Sequence, residues 1–397
     1  MSTMKILIIT PDIYPFEKGY GGRISLSLYD AFIDLGHTVD MVSTVPDNAR
    51  LELVVKKYNI LFIKLYHTNQ SRFSYFMPPH LLEIIKFKNF LNKNLRGYDL
   101  IILNDFMWTI SLLSLLLIRN KYKDKILLIN HGIMYLNNNR ISFYVSKAIN
   151  KTIGNVFLRN IGGVLSFSKK SDNDFKELFN LSLKRITIPS CLNVKQISNT
   201  YNNSILNKEI VINKFKDSFN MDNFIFLIGA FGYHKGYHIF LDSVGRILND
   251  GYNFDVVIAG RKDDSYINLL NTIINKYNIK NKVFFIGEID DVEKFVLLMR
   301  CRLYIIPSLS EGFGVGAEEA MLFGIKTIAT DTGAHKDLLG SINHDHIVKP
   351  GDSKELENAI IDAMNSTIKV IPVLNKTKLE ELSCNDLCRK LLAFMFS

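Results

Sequence analysis

Short apolar runs alternate with amphipathic stretches along most of the chain. Residues 5–10 (KILIIT) form the first run, which Pro11 ends, and residues 23–36 then place Leu28 and Phe32 on one face of a helix. Strands that alternate with helices in this way predict a parallel sheet covered on both faces. This first series predicts strands at residues 5–10, 38–44, 100–104, 125–130 and 163–168.

A polar stretch interrupts the alternation in the middle of the chain. Residues 194–222 are rich in Asn, Ser and Lys and show little periodicity, which predicts a boundary between two domains. We therefore expect an α/β protein with two doubly wound domains, residues 1–200 and 201–378, and a last helix at about 379–397 that packs back on the first domain. The second series predicts strands at residues 224–229, 254–260, 282–287, 303–308 and 326–330.

Composition agrees with two folded domains. The chain has 397 residues, of which 47% are hydrophobic and 22% charged, and this balance excludes a disordered protein. The net charge of +9 is unevenly spread, since residues 51–200 hold 22 Lys and Arg against 8 Asp and Glu. A basic first half implies an anionic partner for that half.

The cysteines predict no disulfide framework. Four cysteines lack a paired C-x-x-C spacing and are too few to cross-link so long a chain, so we expect reduced thiols. No secretory signal is predicted, because Pro11 and Asp12 end the apolar run that follows Lys5. We therefore expect a cytoplasmic protein. The cysteines are Cys191, Cys301, Cys384 and Cys388.

A glycine-rich turn between two glutamates is the clearest chemical motif. The string EGFGVGAEEA begins at Glu311, follows a predicted strand and opens a predicted helix that carries Glu319. Glycines let the backbone approach a ligand closely, and a helix N-terminus favours an anion. A carboxylate can accept hydrogen bonds from two hydroxyls of one sugar ring. Taken alone, Glu319 is equally typical of a charge that complements a helix dipole.

The whole string resembles the E-x7-E motif of the retaining glycosyltransferases of family GT4, which have the GT-B fold. Its flanks resemble that family as well: Pro307 and Ser308 precede the motif, and Gly333 and Asp337 follow it. The resemblance implies two Rossmann-like domains that face each other across a cleft. It also implies that a nucleoside diphosphate sugar, with UDP expected rather than GDP, donates a hexosyl or N-acetylhexosaminyl unit to a glycan or lipid-linked acceptor.

The resemblance also implies roles for particular residues. Glu319 would hold the ribose hydroxyls, Glu311 would face the donor sugar, and Ile289 would meet the base. The implied catalytic residues are Glu311, His131 and Lys235, and no metal or other cofactor is expected. The implied donor-binding residues are Gly21, Gly22, Ala230, Gly232, Lys235, Ile289, Glu311, Gly312, Phe313, Gly314, Val315 and Glu319.

One departure from the family pattern leaves an alternative open. The loop GAFGYHKG has Ala230 where the family has an arginine, although Lys235 is present. A departing diphosphate needs fixed positive charge, so the loss of an arginine favours a non-catalytic GT-B subunit that binds a sugar or a partner glycosyltransferase. Both motif glutamates favour the enzyme. No nucleic-acid-binding module is present, and we expect no nucleic-acid partner.

Two basic stretches suggest contact with an anionic membrane. Residues 72–93 and 140–160 mix Lys and Arg with aromatic residues, and Ile141, Val145 and Ile149 fall on one helical face. The pattern is typical of an interfacial helix, but equally of an amphipathic helix packed on a sheet. The hypothesis is that the protein docks peripherally on the inner face of the cell membrane to reach its acceptor.

Overall fold

The structure is a computed structural model and divides into two compact units. The first unit is Met1–Asn193 with Glu380–Ser397, and the second is Val194–Leu379. The described residues are 2–11, 20–46, 58–65, 81–105, 109–132, 148, 151–152, 154–159, 161–179, 181–189, 191–261, 263–339, 346–366 and 380–396.

The first unit is built on a seven-stranded parallel sheet with the order β3-β2-β1-β4-β5-β6-β7. The central strands are almost wholly apolar because helices cover both faces, and Ile6 to Ile9 of β1 are fully buried. The pattern of the sequence missed the edge strands β3 and β7. The strands are β1 (Lys5–Thr10), β2 (Thr38–Pro46), β3 (Ile60–Leu65), β4 (Leu100–Asn104), β5 (Ile126–Asn130), β6 (Gly163–Ser166) and β7 (Arg185–Thr187).

The helices of this unit pack apolar faces on the sheet. Leu28 and Phe32 are fully buried, as the predicted helical face requires. Among the described helices of the whole protein, none combines the length and apolarity needed to cross a membrane. The helices of the first unit are α1 (Tyr20–Asp34), α2 (Leu81–Asn94), α3 (Thr109–Tyr122) and α4 (Lys169–Phe179).

The second unit repeats the architecture with six parallel strands in the order β10-β9-β8-β11-β12-β13. The order reverses next to β8, and ligands of such sheets bind at the carboxyl ends of the strands near this reversal. The sequence pattern missed only the edge strand β13 here. The strands are β8 (Phe224–Ile228), β9 (Asp255–Ala259), β10 (Val283–Gly287), β11 (Leu303–Ile306), β12 (Thr327–Thr330) and β13 (His346–Val348).

The stretch 194–222, predicted as the boundary between two domains, is largely helical, and the second unit begins at its first residue. It forms two helices, and Tyr201 on the first stacks on Phe323 with ring centroids 5.2 Å apart. On the second helix, Val211 and Phe215 are buried, a tertiary contact that local periodicity does not reveal. The helices of this unit are α5 (Val194–Leu206), α6 (Lys208–Phe215), α7 (Tyr237–Asn249), α8 (Asp264–Lys276), α9 (Asp291–Arg300), α10 (Val315–Phe323), α11 (His335–Leu339) and α12 (Ser353–Asn365).

The end of the chain returns to the first unit as helix α13 (Cys384–Phe396). Cys384 lies at its start and forms a disulfide with Cys191, with the sulfurs 2.16 Å apart. The two cysteines are 193 residues apart in the sequence. This corrects the prediction that all thiols are reduced, because sequence spacing gives no sign of a pair that only the returning helix brings together.

Candidate functional site

Two loops meet at the carboxyl edge of the second sheet. The loop after β8 ends at Gly236, and the loop after β11 begins at Pro307. The N–H of Leu309 donates to the backbone oxygen of His234 at 2.7 Å, which ties the loops together. Gly236 has φ 68°, and a Cβ there would lie 1.9 Å from the Pro307 backbone oxygen. Only glycine permits this approach, so the loops share a fixed geometry.

Glu311 lies where these loops meet. Its Oε1 accepts a hydrogen bond from Lys235 Nζ at 2.6 Å and another from Ser308 Oγ at 2.6 Å. Burial alone would raise the pKa of the carboxyl, but the charge of Lys235 and the hydrogen bonds from Lys235 and Ser308 lower it to about 2. Glu311 is therefore a fixed negative charge at neutral pH, and the structure brings it together with Lys235 as the sequence predicted.

The glycine-rich turn ends in an open helix start. Gly314 precedes α10 with φ 108°, and none of the described side chains caps the helix there. An uncapped N-terminus directs backbone N–H groups and a partial positive charge outward. Such an arrangement suits a phosphate or a cluster of sugar hydroxyls.

Glu319 lies on the buried side of α10 and is paired with a lysine that the sequence did not single out. Lys294 Nζ, on α9, donates to Glu319 Oε1 at 2.6 Å and also lies 3.1 Å from Asp291 Oδ1. The side chains of Lys294 and Glu319 are only 10% and 11% exposed. A lysine so deeply placed needs a carboxylate partner, and the pair fixes the orientation of Glu319.

Two further side chains near Glu311 were also missed. The ring of His335 is fully buried, and a Cβ on Gly314 would lie 2.5 Å from its Nε2. Tyr237 begins α7, and its hydroxyl lies 3.0 Å from the Cβ position of Gly229. Burial and the charge of Glu311 raise the pKa of Tyr237, so its hydroxyl keeps its proton.

The remaining predicted donor-binding residues of this unit lie on three loops at the same edge. Ile289 is half-buried between β10 and α9, the helix that carries Lys294. The backbone oxygen of Phe313 accepts a hydrogen bond from the N–H of Ala334 at 2.7 Å, which ties the glycine-rich turn to the loop after β12. Ala230 and Gly232 lie in the loop after β8, Gly312 in the turn, and Val315 at the start of α10.

In the first unit, His131 follows β5 and belongs to a neutral polar cluster. It hydrogen-bonds the side-chain oxygen of Asn104, whose amide donates to Ser25 Oγ at 2.7 Å and Thr10 Oγ1 at 3.1 Å. Because a side-chain carbonyl only accepts, the proton of the imidazole lies on Nε2. Burial lowers the pKa of His131 to about 4, so the ring is neutral at pH 7.

Gly21 and Gly22 lie in the first turn of α1, which begins at Tyr20. Ser25, one turn further on, shares Asn104 with His131. The start of α1 and the end of β5 therefore contribute to one cluster. Asn104 links the two, although its place at the end of a buried strand was the only signal that the sequence offered.

The described residues provide no group of three or more His, Cys, Asp or Glu side chains that could hold a metal ion. The cationic groups of the second unit's candidate site are lysines, and its anionic groups are glutamates that these lysines hold. Such a site can bind a polar, partly anionic ligand through backbone N–H groups, lysine charge and carboxylate acceptors.

Two units with doubly wound parallel sheets and loops gathered at the carboxyl edges define the GT-B fold of glycosyltransferases. Residues 210–374, in the second unit, match the family Glycosyl transferases group 1. These findings confirm the predicted fold class and the resemblance to glycosyltransferases of this group. The chain thus contains a glycosyl transferases group 1 domain.

Individual proteins share parts of the sequence or the whole fold. Protein CapJ of Staphylococcus aureus is 33% identical over 42% of this chain and 40% of its own length. The O-antigen chain mannosyltransferase RfbU of Salmonella typhimurium is 28% identical over 47% and 53%. The match spans about half of these relatives or less. Anabaena HepE, solved in complex with UDP, superposes with a TM-score of 0.70 at 17% identity, over 98% of this chain and 100% of its own.

Proposed function

We propose that this protein is a retaining, metal-independent glycosyltransferase. It moves a hexosyl or N-acetylhexosaminyl unit from a nucleoside diphosphate sugar to a glycan or lipid-linked acceptor. The observation that carries the proposal is Glu311, held by Lys235 and Ser308 beside the open helix start at Gly314. This arrangement lies inside the matched glycosyl transferases group 1 domain.

In this proposal, positively charged groups contact the diphosphate, and carboxylates contact the sugar and the ribose. Lys235 and the helix start at Gly314 offset the negative charge of the diphosphate as the bond to the anomeric carbon breaks. Glu311 faces the sugar as a fixed carboxylate, and Glu319 holds the ribose. The acceptor hydroxyl attacks the same face and gives its proton to the departing phosphate oxygen. No carboxylate pair has to act as nucleophile and acid, unlike in glycosidases.

One relative suggests which sugar to test first, and a different relative suggests which nucleotide. RfbU is a mannosyltransferase of O-antigen chains, which makes mannose the first sugar to test. HepE was solved with UDP, which supports the expected uridine nucleotide. The proposed setting is the synthesis of a cell-surface polysaccharide or glycoconjugate from the cytoplasmic side.

A donor panel tests this proposal directly. Calorimetry with UDP, GDP and their glucose, galactose, mannose and N-acetylglucosamine derivatives identifies the nucleotide and the sugar. We expect one nucleoside diphosphate to bind, its sugar derivative to be hydrolysed slowly, and EDTA to change neither result. Failure of every nucleotide to bind the folded protein would refute the proposal.

A matched pair of variants separates binding from transfer. Glu311→Gln keeps the size of the side chain and its bond from Ser308, so we expect nearly normal affinity for the free diphosphate but at least about 100-fold slower turnover. Glu357→Gln is the control, because Glu357, on α12, is also a buried carboxylate and pairs with Arg246 on α7. It should leave turnover unchanged.

One observation favours the non-catalytic alternative. Ala230 occupies the place of the family's arginine, and Glu311 already pairs with Lys235. A non-catalytic subunit would bind the nucleotide sugar without hydrolysing or transferring it. Binding of a donor together with the absence of turnover for every acceptor fraction tested would establish this alternative.

We also propose that the first unit docks on an anionic membrane. Helix α2 exposes 77% of Leu82 and 46% of Ile85 within the basic half of the chain, while the face carrying Phe87 is buried. The predicted apolar face of residues 141–153 lies outside the described residues. Co-sedimentation should require anionic vesicles and weaken in high salt. Leu82→Ser with Ile85→Ser should weaken it further, and equal binding to neutral vesicles would refute the idea.

A further inference from the structure

The imidazole of His335 presents one edge to the glycine-rich turn. It is fully buried, and a Cβ on Gly314 would lie 2.4 Å from its Cδ2 and 2.5 Å from its Nε2. The backbone around it is fixed, since the N–H of His335 donates to Thr332 and that of Ala334 donates to Phe313. These two backbone hydrogen bonds hold the residue that carries the ring against the glycine-rich turn.

The opposite edge of the ring determines where the proton lies. Nδ1 is 2.9 Å from the backbone oxygen of Thr330, which can only accept, so Nδ1 carries the hydrogen. Nε2 is then a hydrogen-bond acceptor. It is buried and has no hydrogen-bond partner among the described residues. Buried polar atoms in folded proteins are almost always paired, so an acceptor aimed at a binding loop calls for a donor from the ligand.

The chemistry of the neighbours selects the class of donor. Diphosphate oxygens carry no hydrogen at neutral pH and would be repelled by the lone pair of Nε2. A base would have to reach past the turn at Gly314. A sugar hydroxyl can donate, and Glu311, the carboxylate assigned to the sugar in the proposed function, interacts electrostatically with His335 across the same turn.

We propose that His335 is a specificity-determining residue whose Nε2 accepts a hydrogen bond from one hydroxyl of the transferred sugar. The inference rests on the proposed function, and it adds a second hydrogen-bond acceptor, beside Glu311, for the hydroxyls of the transferred sugar. His335 thereby discriminates between sugars that differ at that hydroxyl and contributes nothing to binding of the nucleoside diphosphate.

Calorimetry on three purified variants tests the inference. His335→Phe keeps a flat ring without an acceptor, and His335→Gln retains a polar side chain of similar reach. We expect His335→Phe to weaken binding of the nucleotide sugar about tenfold while leaving affinity for the free nucleoside diphosphate unchanged. His335→Gln should recover part of the loss. His37→Phe, which alters another buried histidine in the first unit, should change neither affinity.

Fluorinated donors identify the hydroxyl and guard against a misfolded variant. Fluorine replaces one sugar hydroxyl at a time and cannot donate. One fluorinated donor should bind the wild type about tenfold more weakly than the parent sugar nucleotide. This difference should vanish in His335→Phe, which has no acceptor, and should become smaller in His335→Gln, which serves as the readout if His335→Phe does not fold.

Two results would overturn the inference while leaving the proposed function intact. The first is an equal loss of affinity for the sugar nucleotide and the free diphosphate in His335→Phe. The second is the same fluorine sensitivity in wild type and variants. A wild type that binds no nucleotide at all would instead refute the proposed function, and these arms distinguish the two failures.

Discussion

The carboxyl edges of the two sheets carry different kinds of polar side chains. In the second unit, charged side chains lie at the edge, and a lysine holds each of the two motif glutamates: Lys235 holds Glu311, and Lys294 holds Glu319. In the first unit, the cluster around Asn104 and His131 is neutral.

The difference follows from what each edge is suited to bind. Fixed charges cost much to bury and are kept where a charged ligand requires them, as a diphosphate would. Neutral hydroxyl, amide and imidazole groups can satisfy one another, and they suit uncharged sugar or acceptor hydroxyls. The proposed reaction needs both kinds of surface, and the chain places them in different units.

The largest expected effect comes from separating the two loops of the charged edge. Gly236→Ala places a Cβ against the Pro307 backbone at a positive φ, and we expect a loss of about 4 kcal/mol in unfolding free energy. Gly251→Ala is the control, because Gly251 has φ 96° but nothing within 4 Å of its Cβ position. It should cost about 1 kcal/mol. Urea unfolding measures both, and equal losses would show that the loop contact is unimportant.

Removing Glu319 from its buried pair with Lys294 should have the next largest effect on stability. Glu319→Ala removes the buried carboxylate partner of Lys294, and we expect a loss of about 3 kcal/mol in unfolding free energy together with weaker nucleotide binding. Adding Lys294→Met should restore stability but not binding. The exposed lysine of the Lys354–Glu357 pair is the control, and Lys354→Ala should change little. Restored binding in the double variant would exclude a ribose role for Glu319.

The neutral cluster around His131 should make the unfolding free energy depend on pH. The pKa of His131 is about 4 in the folded protein against an ordinary 6.5, so the unfolded chain binds more protons between these values. The stabilisation is complete above pH 6.5 and is lost as the pH falls towards 4. The unfolding free energy falls between pH 7 and pH 4.5, and in His131→Gln this fall should be smaller by on the order of 2 kcal/mol. Unfolding curves at pH 7 and 4.5 measure it, and parallel losses in wild type and variant would contradict a neutral buried ring.

The smallest expected effect is a gain at the charged edge. Ala230→Arg restores a guanidinium to the loop that ends in Lys235, and a planar fork can hold two phosphate oxygens. We expect nucleoside diphosphate affinity to rise about tenfold, measured by calorimetry at low and high salt. Weaker binding by a folded variant would mean that another side chain already occupies this space, and Arg23→Ala would then be the next variant to test.

Hydrophobic periodicity was enough to predict the central strands, the helices between them and therefore the fold class. A central strand such as β1 reads as a continuous apolar run because both of its faces are buried, and β8 at residues 224–228 reads the same way. Edge strands such as β3 and β7 lack this pattern, since burial there depends on neighbours. The sequence also placed Glu311, Gly314 and Glu319 correctly around one helix start, because their spacing is local.

The side chains that hold those residues follow from packing between elements. Lys294 and His335 come from two other helices, α9 and α11, and no local pattern distinguishes either from an ordinary helical lysine or histidine. The disulfide between Cys191 and Cys384 has the same origin. Hydrophobic periodicity indicates on which face of its own helix or strand a residue lies. Pairing between residues of different elements depends on packing that brings distant parts of the chain within a few ångströms.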